Sequence, residues 1–312
     1  MQSLWMLVAS LLFAAMGACV KLASARYGIL EIVFYRSVLG CVGLAAFVRL
    51  RGGTLTTSVP WLHLRRGAFG TAALSLWFFS TTALPLGTSM TLNYASSLYL
   101  AAFVVAAAVM AGRRVNWPLA ATVVTGFVGV LLVLTPSLNR EQAAAGIAGF
   151  VSGILSASAY WHVKELGKLG EPEWRTVFYF SLAGVVLGLA GSLLTGFTAH
   201  TADGVLLLAT IGVTATLAQL AMTRAYSAGR TLLTANLQYS AIVFATLLGM
   251  LLFADRIPLA GWLGIAMIIG SGIVATLITR RDAPLPAPNA ESVAEEHFAD
   301  ADASPANDGS SR

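Results

Sequence analysis

The chain has 312 residues, of which 57% are hydrophobic and 11% charged, with a mean hydropathy of +0.77. A soluble domain carries about a quarter charged residues, so a water-solvated globule is excluded and the solvent for most of this chain is lipid. The net charge of +5 is not a nucleic-acid footprint, because Lys and Arg sit singly or in pairs between apolar runs, with no basic stripe interleaved with aromatics.

A helix needs about 20 apolar residues to cross the hydrocarbon. Runs of that kind lie at 3–23, 29–49, 66–84, 87–111, 116–135, 144–163, 174–197, 203–223, 230–253 and 258–279. Pro60, Pro85, Pro118, Pro136, Pro172 and Pro258 fall at their edges, where a missing N–H costs no buried hydrogen bond. No Lys or Arg precedes the first run, so it is expected to be a retained span and not a cleaved signal. Cys19 and Cys41 lie inside apolar runs without CxxC spacing and read as small hydrophobes; no metal or cofactor site is expected. From Asp282 onward the chain turns to Pro, Ala, Ser and acids, too polar to fold, so 282–312 is expected to be a disordered tail.

Orientation follows from Lys and Arg in the short loops. With a cytoplasmic N-terminus, the inside set is Arg49, Arg51, Arg65, Arg66, Arg113, Arg114, Lys164, Lys168, Arg175, Arg224, Arg230, Arg280, Arg281 and Arg312. Outside are Lys21, Arg26, Arg140 and Arg256. Fourteen against four puts both termini, and the tail, in the cytoplasm.

The string VFYRSVLG (33–40) returns as VFYFSLAG (177–184), 144 residues on. At an offset of 143, Lys21 falls on Lys164, and Thr91, Asn93 and Ser97 fall on Thr234, Asn236 and Ser240. These matches predict a duplicated five-span unit, 1–139 and 140–281. A unit with an odd number of spans is followed by its copy upside down, and inverted repeats with a midplane site between them characterise transporters.

Ten spans, the five-plus-five duplication and these motifs resemble the drug/metabolite transporter superfamily, in its EamA-type branch. The resemblance covers residues 1–281 and implies an all-α integral membrane fold, cytoplasmic termini, and a central cavity walled by the third, fourth, eighth and ninth spans. Two features depart from that family. The Gly-Glu that often opens the loop after the fourth and ninth spans reads Gly112-Arg113 and Ala254-Asp255 here. The fourth span runs SSLYLAAFVV where many relatives carry a mid-helix proline, which removes the usual cause of a kink.

Asn93 and Ser97 are four apart and share one helical face, as do Asn236 and Ser240. An amide facing lipid costs several kcal/mol, so both faces turn inward. They serve either as interhelical glue or as cavity lining that bonds cargo. Tyr94, Ser96, Tyr99, Gln238 and Tyr239 are polar neighbours on the same segments. Trp77 and Phe78 in the third span, with Gln219 and Thr223 in the eighth, are candidates for the other walls. Arg36 sits about 10 Å into the second span. It either snorkels to the headgroups, pairs with Glu31, or faces the cavity to attract an anionic or zwitterionic group.

No Asp or Glu occupies the middle of a span, so the buried carboxylate used to hold lipophilic cations is missing, and proton coupling would fall to His162 or a peripheral acid. HExxH, GxSxG and paired intramembrane aspartates are absent, which disfavours an intramembrane enzyme. The expectation is a secondary carrier, monomeric or homodimeric, in a bacterial-type inner membrane. Its cargo would be a small neutral, zwitterionic or anionic metabolite such as an amino acid, with cationic drug efflux the alternative.

Overall fold

The computed structural model describes residues 2–112, 114, 117–134, 140–228, 234 and 237–281, and every regular element among them is helical. After a 3-10 turn at Gln2–Leu4 come α1 (Trp5–Ala23), α2 (Ile29–Leu50), α3 (Pro60–Ala83), α4 (Leu86–Tyr94), α5 (Ser96–Met110) and α6 (Trp117–Leu134). The second half holds α7 (Arg140–Lys168), α8 (Glu173–Thr195), α9 (Ala202–Ala228), α10 (Ser240–Phe253) and α11 (Leu259–Arg281). Among the described residues, each apolar run in the sequence therefore carries one helix, except the fourth, which carries two. Five helical segments are long and apolar enough to cross a membrane by length and composition: α1 with its leading turn, α2, α7, α8 and α9. Helices α6, α10 and α11 hold shorter apolar stretches, Trp117–Val133, Ser240–Phe253 and Leu259–Ala275 among the described residues. This is an all-α integral membrane protein, as its composition requires: without water, only helices satisfy their own backbone polar groups.

Several boundaries differ from the sequence expectation, among them α7, which runs Arg140–Lys168 where 144–163 was expected, and two of the differences bear on the site. Helix α3 begins at Pro60, not 66, because proline in the first turn forfeits no bond and already holds a helical φ. The fourth span breaks at Ala95 although it has no proline. Tertiary contacts support the break. Tyr99 Oη donates to the Leu92 carbonyl (3.3 Å), and Gly153 of α7 lies so close to the Leu92 and Asn93 carbonyls that a side chain would collide with them. The expected tail, 282–312, lies outside the described residues.

Small residues set the packing. Helices α2 and α8, the two copies of the repeated string, lie against each other. Gly184, Gly188 and Gly191 face α2, and a Cβ at Gly188 would meet the backbone of Phe34 and Leu30. The contact is reciprocal: Ser37 Oγ fills the space a side chain at Gly184 would need, and Ser181 Oγ does the same at Gly40. Helices α6 and α11 also touch through glycine, Gly129 against the Gly264 carbonyl and Gly264 against that of Gly129. Helix α3 packs on α7, and α1 on α9. Such close approach is what joins helices in lipid, where the hydrophobic effect gives no preference for a neighbouring helix.

Two polar clusters pin helix ends. Lys21 Nζ lies 3.0 Å from Asp255 Oδ1 and 3.2 Å from the Leu84 carbonyl, while Asp255 Oδ2 accepts the Leu86 backbone N–H (2.8 Å) at the start of α4. Neither residue is a bare interfacial charge, as Lys21 was expected to be; the pair ties α1 and α4 to the loop after α10. In that loop Ala254 has φ 51°, a left-handed conformation, where Gly112 (φ 62°) ends α5. At another end, Glu171 accepts from Thr57 Oγ1 (2.7 Å) and Arg175 Nη1 (3.0 Å), with His63 Nε2 3.4 Å away. Burial of Glu171 favours the neutral form, but the bonds from Thr57 and Arg175 and the neighbouring charges outweigh it and hold the carboxyl below its ordinary 4.5.

Two outcomes follow from these end clusters. Ala254→Gly should stabilise the protein by about 1 kcal/mol, read as a higher melting midpoint in detergent, since only Ala is strained at that φ. Because the folded-state pKa of Glu171 is depressed, its stabilisation is full above the unfolded value and is lost as pH falls through the folded one. Glu171→Gln should therefore lower the midpoint at pH 7 and remove part of its decline below about pH 4.5.

Candidate functional site

The site begins with helical periodicity on α3. Arg66, Gly70, Leu74 and Trp77 recur every three or four residues, so they line one face. That face turns inward, since Arg66 is 2% exposed and Trp77 4%. Opposite it, α7 presents Ser156, Ala159 and Tyr160; α4 supplies Asn93 and Tyr94, α8 Phe180, α9 Gln219 and α1 Phe13. Together they line a cavity of about 40 Å³. A water needs about 10–15 Å³ on this measure, so the space holds about three waters.

Arg66 dominates this space. Its Nη2 donates to Gln219 Oε1 (3.3 Å), its guanidinium lies 4.3 Å from the Phe180 ring centroid, and its Nε and Nη1 have no partner. Gly70, one turn on, makes room for it, because a side chain there would overlap both the guanidinium and the Phe180 ring. Arg36 reaches the same ring at 5.3 Å from below the cavity wall, 2% exposed, with Nε and Nη1 also unpartnered. Trp77 Nε1 is a further buried donor without a partner. Among the described residues no Asp or Glu lines the cavity.

The expected site residues separate into three groups. Trp77, Asn93, Tyr94 and Gln219 line the cavity. Asn93 combines the two roles weighed for it, since Nδ2 also donates to Ser152 (3.0 Å) and Ser156 (3.1 Å) of α7. Arg36 neither snorkels nor pairs with Glu31: it is buried against Phe180, and Glu31 instead accepts the Thr198 backbone N–H (3.1 Å).

Tyr99, Gln238 and Tyr239 are buried outside the lining. Tyr99 serves the Ala95 break, and Gln238 accepts from Tyr226 Oη and donates to Ser96 Oγ (3.1 Å). That last bond joins the start of α5 to the turn before α10. Asn236 lies outside the described residues, as does the side chain of Ser97. His162 is also off the cavity, its Nδ1 2.7 Å from the Ser158 carbonyl and its ring stacked on Phe69.

Of the four spans expected to wall the cavity, the third, fourth and eighth do so; among the described residues the ninth does not, and the first, sixth and seventh contribute instead. The main residue missed is Arg66, taken for a loop charge because the third span was started at 66. Pro60 as a first-turn proline, with Arg66 and Gly70 four apart, was the available signal.

A helical membrane body with a small polar cavity between its helices is an arrangement that membrane transporters use. Residues 1–135 match the EamA-like transporter family. Relatives match over most of the chain. The pseudopaline exporter of Pseudomonas aeruginosa (strain UCBPP-PA14) is 28% identical over 84% of this chain and 91% of its own. The riboflavin transporter of Brucella anthropi is 25% identical over 86% and 95%. The S-adenosylmethionine uptake transporter of Rickettsia conorii is 23% identical over 59% and 62%. A crystal structure superposes with a TM-score of 0.61 at 21% identity, covering 90% of this chain and 98% of that one, which shows the fold alone. The first half of the chain thus resembles the EamA-like transporter family, and the relatives that span most of the chain are named transporters, which supports a small-molecule transporter of the membrane.

Proposed function

We propose that the protein is an alternating-access carrier of small neutral, zwitterionic or anionic metabolites, built from two inverted halves, 1–139 and 140–281. The observation that carries this reading is a cavity walled by helices of both halves: α1, α3 and α4 from the first, α7, α8 and α9 from the second. The 143–144 offset relates α2 to α8 and the α3–α7 pairing to the α9–α1 pairing, so the packing supports a pseudo-twofold. Relative motion of the halves would open the cavity to each side in turn. Cations are disfavoured because the space holds a guanidinium and no acid. The relatives' named cargoes, pseudopaline, riboflavin and S-adenosylmethionine, are metabolites, which supports the same class.

The membrane is read as the inner membrane, with both termini cytoplasmic. Arg66 leaves the loop set, and the remaining bias of thirteen against four (fourteen less Arg66) keeps the same orientation. The protomer is read as acting alone or as a homodimer.

Single cysteines replacing Arg49 and Arg140, in a background free of Cys19 and Cys41, should label from opposite faces; labelling from one face would sink the inverted arrangement. In proteoliposomes, labelled solute should show counterflow, whereas ohmic current or turnover without movement would point to another class. Asn93→Ala should slow uptake about fivefold, the worth of one hydrogen bond near 1 kcal/mol, at unchanged membrane abundance. A fall in abundance with an unchanged rate per molecule would make Asn93 glue alone.

A further inference from the structure

We infer that Arg66, steadied by Phe180 and reinforced by Arg36, is the binding site for an oxyanion group, carboxylate or phosphate, on the transported solute. As cargo recognition the inference rests on the carrier reading above; as a binding site it stands apart from it.

The geometry carries it in three steps. First, the polar groups left unsatisfied around the cavity are donors: Arg66 Nε and Nη1 and Trp77 Nε1 in its wall, and Arg36 Nε and Nη1 behind Phe180. A space rimmed by unused N–H groups matches a ligand rich in acceptors, and a guanidinium fork fits two oxygens of one carboxylate or phosphate. Second, the charge is uncompensated. The described residues give neither arginine a salt bridge, and burying an unpaired charge is costly in protein and in lipid alike. The Phe180 ring, 4.3 Å and 5.3 Å from the two guanidinium carbons, offsets only part of this, since a cation–π contact is weaker than an ion pair.

Third, the one hydrogen bond Arg66 makes is replaceable. Gln219 Oε1 at 3.3 Å is a neutral acceptor at a long distance, which an anionic oxygen would outcompete. Gly70, one turn on along α3, reserves the room for the guanidinium between that helix and the Phe180 ring. A structural arginine would be satisfied by its neighbours; this one is satisfied by what enters.

The test measures binding to the purified full-length protein in detergent at fixed ionic strength, by thermal shift and calorimetry. The probes are phenylacetate, succinate and inorganic phosphate, with phenylacetamide and succinamide as uncharged partners. At least one anion should raise the melting midpoint where its amide does not, and phosphate against the carboxylates tells which oxyanion is preferred. Arg66→Gln should weaken that anion about thirtyfold or more, the effect of removing one partner of a buried charge pair, while leaving the ligand-free midpoint equal or higher. Arg66→Lys, which keeps the charge and loses the fork, should fall between, and it decides the matter if Arg66→Gln does not fold. Amides binding as well as acids, or anion affinity unchanged in the variants, would overturn the site. So would a lower ligand-free midpoint with anion affinity intact. Anion binding without counterflow would keep this site and remove the carrier; counterflow of neutral solutes without anion binding would do the reverse.

Discussion

The contact on which the architecture depends is the crossing of α2 and α8. There Ser37 sits in the notch at Gly184 while Ser181 sits in the notch at Gly40, one arrangement written twice in opposite sense. In lipid, association must come from close van der Waals fit, and a notch without a Cβ is the cheapest way to get it. The same crossing brings position 36 against position 180. Thus the one non-conservative difference between the two strings, Arg for Phe, is a contact: the arginine of the first copy lies over the ring that replaces it in the second. The repeated string and its exception have a common explanation, which is that the two copies face each other.

Much of this fold was legible before any coordinates, because the bilayer simplifies the problem. A span must be long, apolar and helical, so ten runs of sequence map onto ten helical regions with edges marked by proline. The errors fell where polar contacts override that rule. Helix α3 extends six residues below its apolar run because Pro60 can open it and its first turns, with His63 and Arg66, are buried against protein and not placed in water. The fourth span breaks without proline because Tyr99 supplies a donor to the Leu92 carbonyl and Gly153 leaves room beside it. Neither partner is adjacent in sequence, and no periodicity reveals them.

The site was legible in part for the same reason. Trp77, Asn93, Tyr94 and Gln219 could be picked out because each is a polar or amphipathic exception inside an apolar segment. Arg66 could not, since arginine beside Arg65 reads as a loop pair, yet Arg65 is exposed and Arg66 is buried. Adjacent helix positions point about 100° apart, so a doublet at a membrane edge divides its duties between water and core. Tyr99 and Gln238 show the converse: polar groups within the right segments that hold the interrupted helices together instead of facing the cavity.

On the duplication proposed above, the halves agree where they pack and disagree where they carry charge. Ser37 and Gly40 have counterparts in Ser181 and Gly184, but Arg36 answers to Phe180 and Arg66 to Ala209. Lys21 pairs with Asp255, while the residue that answers to Asp255 in the first half is Arg113, leaving Lys164 without the equivalent acid. Packing has to be duplicated, since each half must be able to take the other's shape if the cavity is to open both ways. A bound solute has no twofold axis, so one set of charged groups suffices to hold it, and a second would only bury more charge at further cost. The ion pair at Lys21 likewise has no counterpart at Lys164, so the packing of the two halves is not held by equal forces. On the proposed carrier reading, outward- and inward-facing states differ in energy before any cargo binds, and cargo that neutralises Arg66 would act on an equilibrium already biased to one side.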